Sequence, residues 1–146
     1  MNAKVKWVEK MQFVGNGPSK HTLVMDAHPE VGGEDSGVRP MELLLIGLGG
    51  CTGMDVVSLL NKMRVKFTHF EIEIKSERDT VHPKVFKKIR LNYIIKGNEI
   101  PEDKLKKAIE LSQQRYCSAS VMLEKTAELD YTYSIIKSNG SMQNAD

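Results

Sequence analysis

The stretch Arg39-Pro40-Met41-Glu42-Leu43-Leu44-Leu45-Ile46-Gly47-Leu48-Gly49-Gly50-Cys51 decides how the rest of the chain is read. Pro40 suits a first helical position, where its missing N–H would have no partner anyway, and Glu42 places a negative charge in the first turn. Apolar residues then run through Leu48, so the pattern predicts a long helix over residues 40–64. Its first half is apolar nearly all round, which predicts burial against more than one neighbour. The run is expected to be too short and too glycine-rich to cross a bilayer. Gly47, Gly49, Gly50 and Gly53 each cost a helix interior about 1 kcal/mol relative to alanine, and that cost needs a reason. Close packing of a second element is one. A narrow approach to the Cys51 sulfur is another, and both can hold together.

Upstream, residues 4–14 and 21–26 read as two strands of an opening hairpin, with Asn16-Gly17-Pro18-Ser19 supplying the turn. Residues 27–38 are interrupted by His28-Pro29, Gly32-Gly33 and Gly37 and carry Glu30, Glu34 and Asp35, which predicts a mobile surface loop. Downstream, residues 67–78 and 85–96 alternate. Phe70, Ile72 and Ile74 oppose Glu71, Glu73 and Lys75, while Val85, Ile89, Leu91, Tyr93 and Ile95 oppose Phe86, Lys88, Arg90 and Asn92. These are half-exposed antiparallel strands. Pro101, Glu102 and Asp103 open a second helix that should end near Arg115; residues 118–125 suit one or two further turns. Leu129, Tyr131, Tyr133 and Ile135 alternate as a last strand, and residues 138–146 are expected to fray. The fold class is α+β: antiparallel sheets packed around a long buried central helix, in one domain spanning residues 1–146.

The chain has 146 residues, 40% hydrophobic and 27% charged, which is enough to bury a core without metal or disulfide support. Its 21 Lys plus Arg against 19 Asp plus Glu leave a net charge of +2, too little to build a field for nucleic acid. Lys84, Lys87, Lys88 and Arg90 form the densest basic cluster and read as a solvated sheet surface. The first ten residues lack an apolar run, so no signal peptide or membrane partner is expected and the protein is placed in the cytoplasm. In that compartment two cysteines are free, catalytic or redox-sensing rather than a permanent bridge. No Cys-x-x-Cys or close His pair suggests a metal site. His21, His28, His69 and His82 offer no clear base for a nucleophile.

Cys51 lies in the glycine-rich part of the predicted helix. Cys117 lies at a break between helical segments, with Arg115 before it and Ser118 behind, where a helix N-terminus and a cation would both favour thiolate. Either cysteine alone is better explained as a small apolar side chain. In contact they would suit a peroxide cycle. Asp55, one turn beyond Cys51, is expected either to pair with Arg39 or Arg115 or to point away toward Ser58 or Lys62.

The segment from Arg39 to Cys51, with Arg115-Tyr116-Cys117-Ser118 downstream, resembles the two cysteine segments of the OsmC/Ohr family, named for osmotically inducible protein C and organic hydroperoxide resistance protein. The order of elements resembles that family over nearly the whole chain. The resemblance implies an intertwined homodimer that reduces organic hydroperoxides without a bound cofactor or metal. It implies Cys51 as the peroxidatic thiol, Cys117 as the resolving thiol and a small dithiol such as dihydrolipoamide as external reductant. It also implies an Arg that stabilises the thiolate and a Glu that orients it. Here residues 1–38 contain no Arg, so Arg39 is the candidate; Met41 follows Pro40 where the family has Glu, so Glu42 is the substitute. On a straight helix Glu42 would fall roughly opposite Cys51, and a plain first-turn anion is an equal reading. Ser118 stands where several members have Pro. The expected activity is reduction of alkyl or lipid hydroperoxides; the alternatives are a non-catalytic dimer that binds a small hydrophobic ligand, or a redox sensor.

Overall fold

In a computed structural model the described residues are 1–138 and the backbone of 142–145. The chain is described as two compact units, Met1–Ile46 and Gly47–Asp146. The division falls inside one helix, α1 (Pro40–Lys62).

The first unit holds a three-stranded antiparallel sheet of β1 (Lys4–Glu9), β2 (Gln12–Asn16) and β3 (Thr22–Met25), in that spatial order. The predicted hairpin is therefore split once more. Residues 4–14 fold back on themselves at Lys10 and Met11, where Lys10 takes a left-handed φ of 43° and its carbonyl accepts a bond from the Trp7 indole N–H at 2.8 Å. Neither residue carries the glycine or asparagine that marks such turns in a sequence. The loop expected to be mobile has its own structure: a 3₁₀ turn at Pro29–Val31 and a buried Asp26 that gathers the N–H groups of Ala27, Glu34 and Ser36. One carboxylate thus satisfies donors that would otherwise need water.

α1 starts as its sequence dictates. Pro40 is the first helical residue, and the Glu42 carboxylate accepts the backbone N–H of Arg39 at 3.0 Å, the return half of a capping box. Burial along α1 follows one stripe, Leu48, Thr52, Val56 and Leu60, rather than several faces. Leu44 and Ile46 remain 48% and 59% exposed and Met54 76%. With 23 residues, α1 is long and apolar enough to cross a membrane by length and composition, contrary to the expectation that it is too short. Its polar Thr52 is nonetheless bonded inside the second unit.

The second unit is a four-stranded sheet in the order β4 (His69–Arg78), β5 (Phe86–Gly97), β6 (Glu128–Lys137) and β7 (Met142–Ala145). β4 and β5 pair antiparallel, as the alternation predicts, with Phe70 opposite Ile95 and Ile72 opposite Tyr93. A register shift at Glu77 and Arg78 sets Phe86 opposite Arg78 and buries it, reversing the expected facing of Phe86 and Val85. The sheet is mixed rather than purely antiparallel, because β6 runs parallel to β5. Between them the chain crosses over through α2 (Glu102–Leu111), a π turn at Ser112–Tyr116 and α3 (Ser118–Leu123), as a parallel pair requires. The tail expected to fray returns as β7, antiparallel to β6; residues 139–141 and 146 lie outside the described residues.

The core of this unit is Leu48, Val56 and Leu60 of α1, Ile89, Leu91, Tyr93 and Ile95 of β5, and Leu105 and Ile109 of α2, all fully buried. Each such side chain stabilises the fold by about 1.5–3 kcal/mol. Gly49 and Gly53 show why α1 tolerates glycine: an added Cβ would lie 3.0 Å from Ile74 and 3.4 Å from Ile72, so β4 packs close against the helix backbone. Gly47 and Gly50 have nothing within 4 Å of that position and face open space. Close packing therefore accounts for Gly49 and Gly53, and Gly47 and Gly50 are not packed against a second element.

Candidate active site

Cys51 is carried by the helical part of α1, half-buried, between Gly50 and Thr52. Cys117 is placed by a change of helical geometry. After Leu111 the chain widens into the π turn, the N–H of Cys117 bonds the Ser112 carbonyl at 2.8 Å, and Cys117 then leaves the helix with φ −76° and ψ 97° to become the N-cap of α3. Such a turn inserts one residue and re-aims the side chains that follow. The Cys117 Sγ accepts the Ser120 N–H at 3.4 Å and is wholly removed from solvent.

The two sulfurs meet. Cys51 Sγ, Cys117 Sγ and a carboxylate oxygen of Asp55 all lie within 4.8 Å of one another. Burial pushes the Cys117 thiol up in pKa; bonds with Ser120 pull it down, and proximity to Cys51 raises it again. Arg115, expected to favour its thiolate, lies exposed on the π turn.

Asp55 is the residue that sequence reading misplaced. Where a cation (Arg39 or Arg115) or an outward turn toward Ser58 or Lys62 was expected, its carboxylate accepts the Ser112 hydroxyl at 3.2 Å, beside both sulfurs. The i, i+4 spacing from Cys51 did put it on the right face. Its partner Ser112 is buried and belongs to a network that no local signal announces. Thr52 Oγ1 lies 2.7 Å from the Tyr93 hydroxyl and 2.8 Å from the Ser112 hydroxyl. The Gln113 amide donates to Thr52 at 3.1 Å and to Tyr93 at 2.6 Å. Burial pushes the Tyr93 hydroxyl up to about 12, against the opposing bonds from Thr52 and Gln113. The hydroxyl is therefore neutral at physiological pH. These neutral bonds tie α1, β5 and the π turn together at the point where Cys51 and Cys117 are presented.

Arg39 and Glu42 are both engaged at the start of α1. The Arg39 guanidinium is ion-paired with Asp35 and donates to the Gly37 carbonyl at 3.4 Å, while Glu42 accepts the Arg39 N–H. The basic cluster is matched by acids: Lys87 with Asp79 at 3.3 Å, Lys88 with Glu128 at 3.6 Å and Arg90 with Asp130 at 2.7 Å, a solvated surface as expected. An open cleft of about 460 Å³ is lined by Arg64, Lys66, Thr68, Asn98 and Glu99 among others, and no cysteine lines it.

Comparison with known proteins shows the family. The family profile described as OsmC-like protein matches residues 33–132, which include both cysteines. Protein YhfA of Escherichia coli K12 is 36% identical over 136 residues, covering 93% of this chain and 98% of that protein. A solved structure of a hypothetical protein from Aquifex aeolicus VF5 is 27% identical with a TM-score of 0.82, over 93% of this chain and 96% of that one. An organic hydroperoxide resistance protein from Legionella pneumophila shares the fold at 14% identity, with a TM-score of 0.67 over 90% and 94% of the two chains. With the profile spanning both cysteine segments and a relative 36% identical matched over 98% of its length, the chain belongs to the OsmC-like protein family.

Proposed function

We propose that the protein is a thiol-dependent peroxidase that reduces alkyl or lipid hydroperoxides, working in the cytoplasm as a homodimer. The observation that carries this reading is the approach of the Cys51 and Cys117 sulfurs, delivered from separate elements to within 4.8 Å. Closing to a disulfide needs them at about 2.05 Å.

The half-buried Cys51 is the attacking thiol and the fully buried Cys117 the resolving one. Cys51 thiolate attacks the terminal oxygen of the hydroperoxide; the S–O bond forms, the O–O bond breaks, and the departing alkoxide takes a proton to become alcohol. Cys117 thiolate then attacks the sulfenic sulfur, forming the S–S bond and expelling hydroxide, which leaves as water. An external dithiol, for which dihydrolipoamide is the expected type, reduces the disulfide and is itself oxidised. Open space at Gly47 and Gly50 supports an approach path for a substrate. The raised Cys117 thiol supports its role as the second reactant rather than the first. Exposed Leu44 and Ile46 on α1, with Val5 and Trp7 on β1, support a second copy as the natural cover.

The test is one equivalent of cumene hydroperoxide added to reduced protein, followed by peptide mapping of wild type, Cys51→Ser and Cys117→Ser. A Cys51–Cys117 disulfide in wild type, sulfenic acid on Cys51 in Cys117→Ser and no reaction in Cys51→Ser are expected. Unmodified thiols in wild type would sink the proposal and favour a ligand-binding role. A disulfide that forms without steady-state peroxide consumption identifies a redox sensor instead.

A further inference from the structure

We infer that Cys51, Asp55 and Cys117 form a binding site for a thiophilic divalent cation, of which Zn²⁺ is the type, that holds both thiols out of redox chemistry while it is bound. Three donor atoms from α1 and the start of α3 already converge within 4.8 Å of one another. A cation with Zn–S bonds of about 2.3 Å and Zn–O bonds of about 2.0–2.2 Å brings its ligand atoms a little closer together than that limit, so only small side-chain adjustment is needed. Two sulfurs and one carboxylate select for Zn²⁺ over the hard cations Mg²⁺ and Ca²⁺, which take oxygen sets.

Two further features point the same way. Cys51 and Asp55 stand one helical turn apart on one face of α1, so two of the three donors are fixed by a rigid element. Asp55 is also oriented from behind: the Ser112 hydroxyl donates to it, and Ser112 is itself held by Thr52, which bonds Tyr93. An outer layer of this kind, which aims a ligand and fixes its lone pairs, is what distinguishes a built metal site from a chance gathering of donors. With three protein donors, the fourth tetrahedral position is left for water, as in zinc sites that exchange ligands. Coordination takes up the sulfur lone pairs that a peroxide oxygen would need. The cation and the oxidant therefore compete for the same two atoms. The site does not depend on the peroxidase reading, since coordination requires only reduced thiols.

The experiment is a competition titration of reduced, chelator-stripped full-length protein with Zn²⁺ against a chromophoric chelator, in the absence of peroxide. Co²⁺ serves as the optical probe for sulfur ligation. One Zn²⁺ per chain and a thiolate-to-cobalt charge-transfer band are expected. Asp55→Asn, which keeps both thiols, should weaken binding by at least the roughly 10–100-fold that loss of an outer-shell partner costs, and Cys51→Ser should abolish the band. Cys117 is fully buried and its replacement can disturb folding, so its part is read in wild type from the intensity of the charge-transfer band, which reports how many thiolates hold the cobalt. His69→Ala removes the surface His69–Glu71 pair and should leave the affinity unchanged. Wild-type affinity in Asp55→Asn or in Cys51→Ser, or binding that is lost in His69→Ala, would overturn the proposal. So would Co²⁺ bound without the charge-transfer band.

Discussion

Asp26 in the first unit and Tyr93 in the second are both polar side chains taken out of water, yet opposite devices satisfy them. Asp26, 3% exposed, is charged and collects four donors: the N–H groups of Ala27, Glu34 and Ser36 and the Ser36 hydroxyl, at 2.8–3.1 Å. Every donor comes from the loop that it organises. Tyr93 is neutral, packs edge-on against Tyr131 with ring centres 6.2 Å apart, and shares its hydroxyl with Thr52 and Gln113. A segment with almost no apolar side chains to bury can thus be ordered by a single anion. The thiol site is instead set by packing, with neutral hydrogen bonds fixing its geometry.

If packing dominates around Tyr93, truncation there should give the largest loss. Tyr93→Ala removes a fully buried aromatic and should cost about 3–5 kcal/mol in denaturant unfolding. Tyr93→Phe keeps the ring and strands the Thr52 and Gln113 groups, for about 1–3 kcal/mol. Because the network also seats the π turn, Tyr93→Phe should slow disulfide formation between Cys51 and Cys117 as well. A Tyr93→Phe protein with wild-type stability and thiol reactivity would show that the network merely fills space.

The two devices should also fail at opposite ends of the pH scale. Bonds from the Ser36 hydroxyl and N–H, against an opposing burial effect, hold Asp26 well below the usual carboxylate range. As pH falls through that range the unfolded chain takes up the proton first, so stability is present above it and drains away in acid. Tyr93 is raised from 10.0 to about 12. Above pH 10 the unfolded chain releases the proton first, so stability is present below pH 10 and about 2–3 kcal/mol is lost toward pH 12. Melting temperatures measured from acid to alkaline pH should therefore show two limbs. Asp26→Asn should flatten the acid limb and Tyr93→Phe the alkaline one, the latter in part, since Tyr131 and Tyr133 are raised too. Variants that each moved the other's limb would break the distinction.

What was legible in the sequence was what local chemistry decides. Pro40, Glu42 and the apolar run gave α1 nearly to its last residue, and strict alternation gave β4, β5 and the antiparallel pairing between them. The turn at Lys10 was invisible because it uses a left-handed lysine, and the facing of Phe86 because a register shift changes the side without changing the composition. The order of the 27–38 loop depends on Asp26, which looks like any loop aspartate until its donors are seen. At the site, Cys51 and Cys117 were legible as thiols in the right segments. Ser112 and Tyr93 were not, since their roles come from contacts between elements far apart in the chain. Asp55 was placed on the correct face and given the wrong partners, because the donor that holds it is a serine on the π turn rather than a cation.

The smallest expected effect bears on the thiol site from the solvent side. Gly49 and Gly50 are adjacent on α1, and an alanine at either would gain about 1 kcal/mol of helix propensity. At Gly49 the added methyl would press on Ile74 Cδ1 at 3.0 Å, so part of that gain is given back in moving the end of a flexible side chain. At Gly50 it would meet nothing within 4 Å, so Gly50→Ala should raise stability by about 0.5–1 kcal/mol and exceed Gly49→Ala. The reverse ranking in denaturant unfolding would mean that the space beside Gly50 is filled in solution, as a second copy of the chain would fill it. If Gly50→Ala is stabilising as expected but slows the reaction of Cys51 with a bulky hydroperoxide more than with hydrogen peroxide, the open space at Gly50 is the substrate's path. Neighbouring glycines would then have separate functions, close packing at Gly49 and access at Gly50.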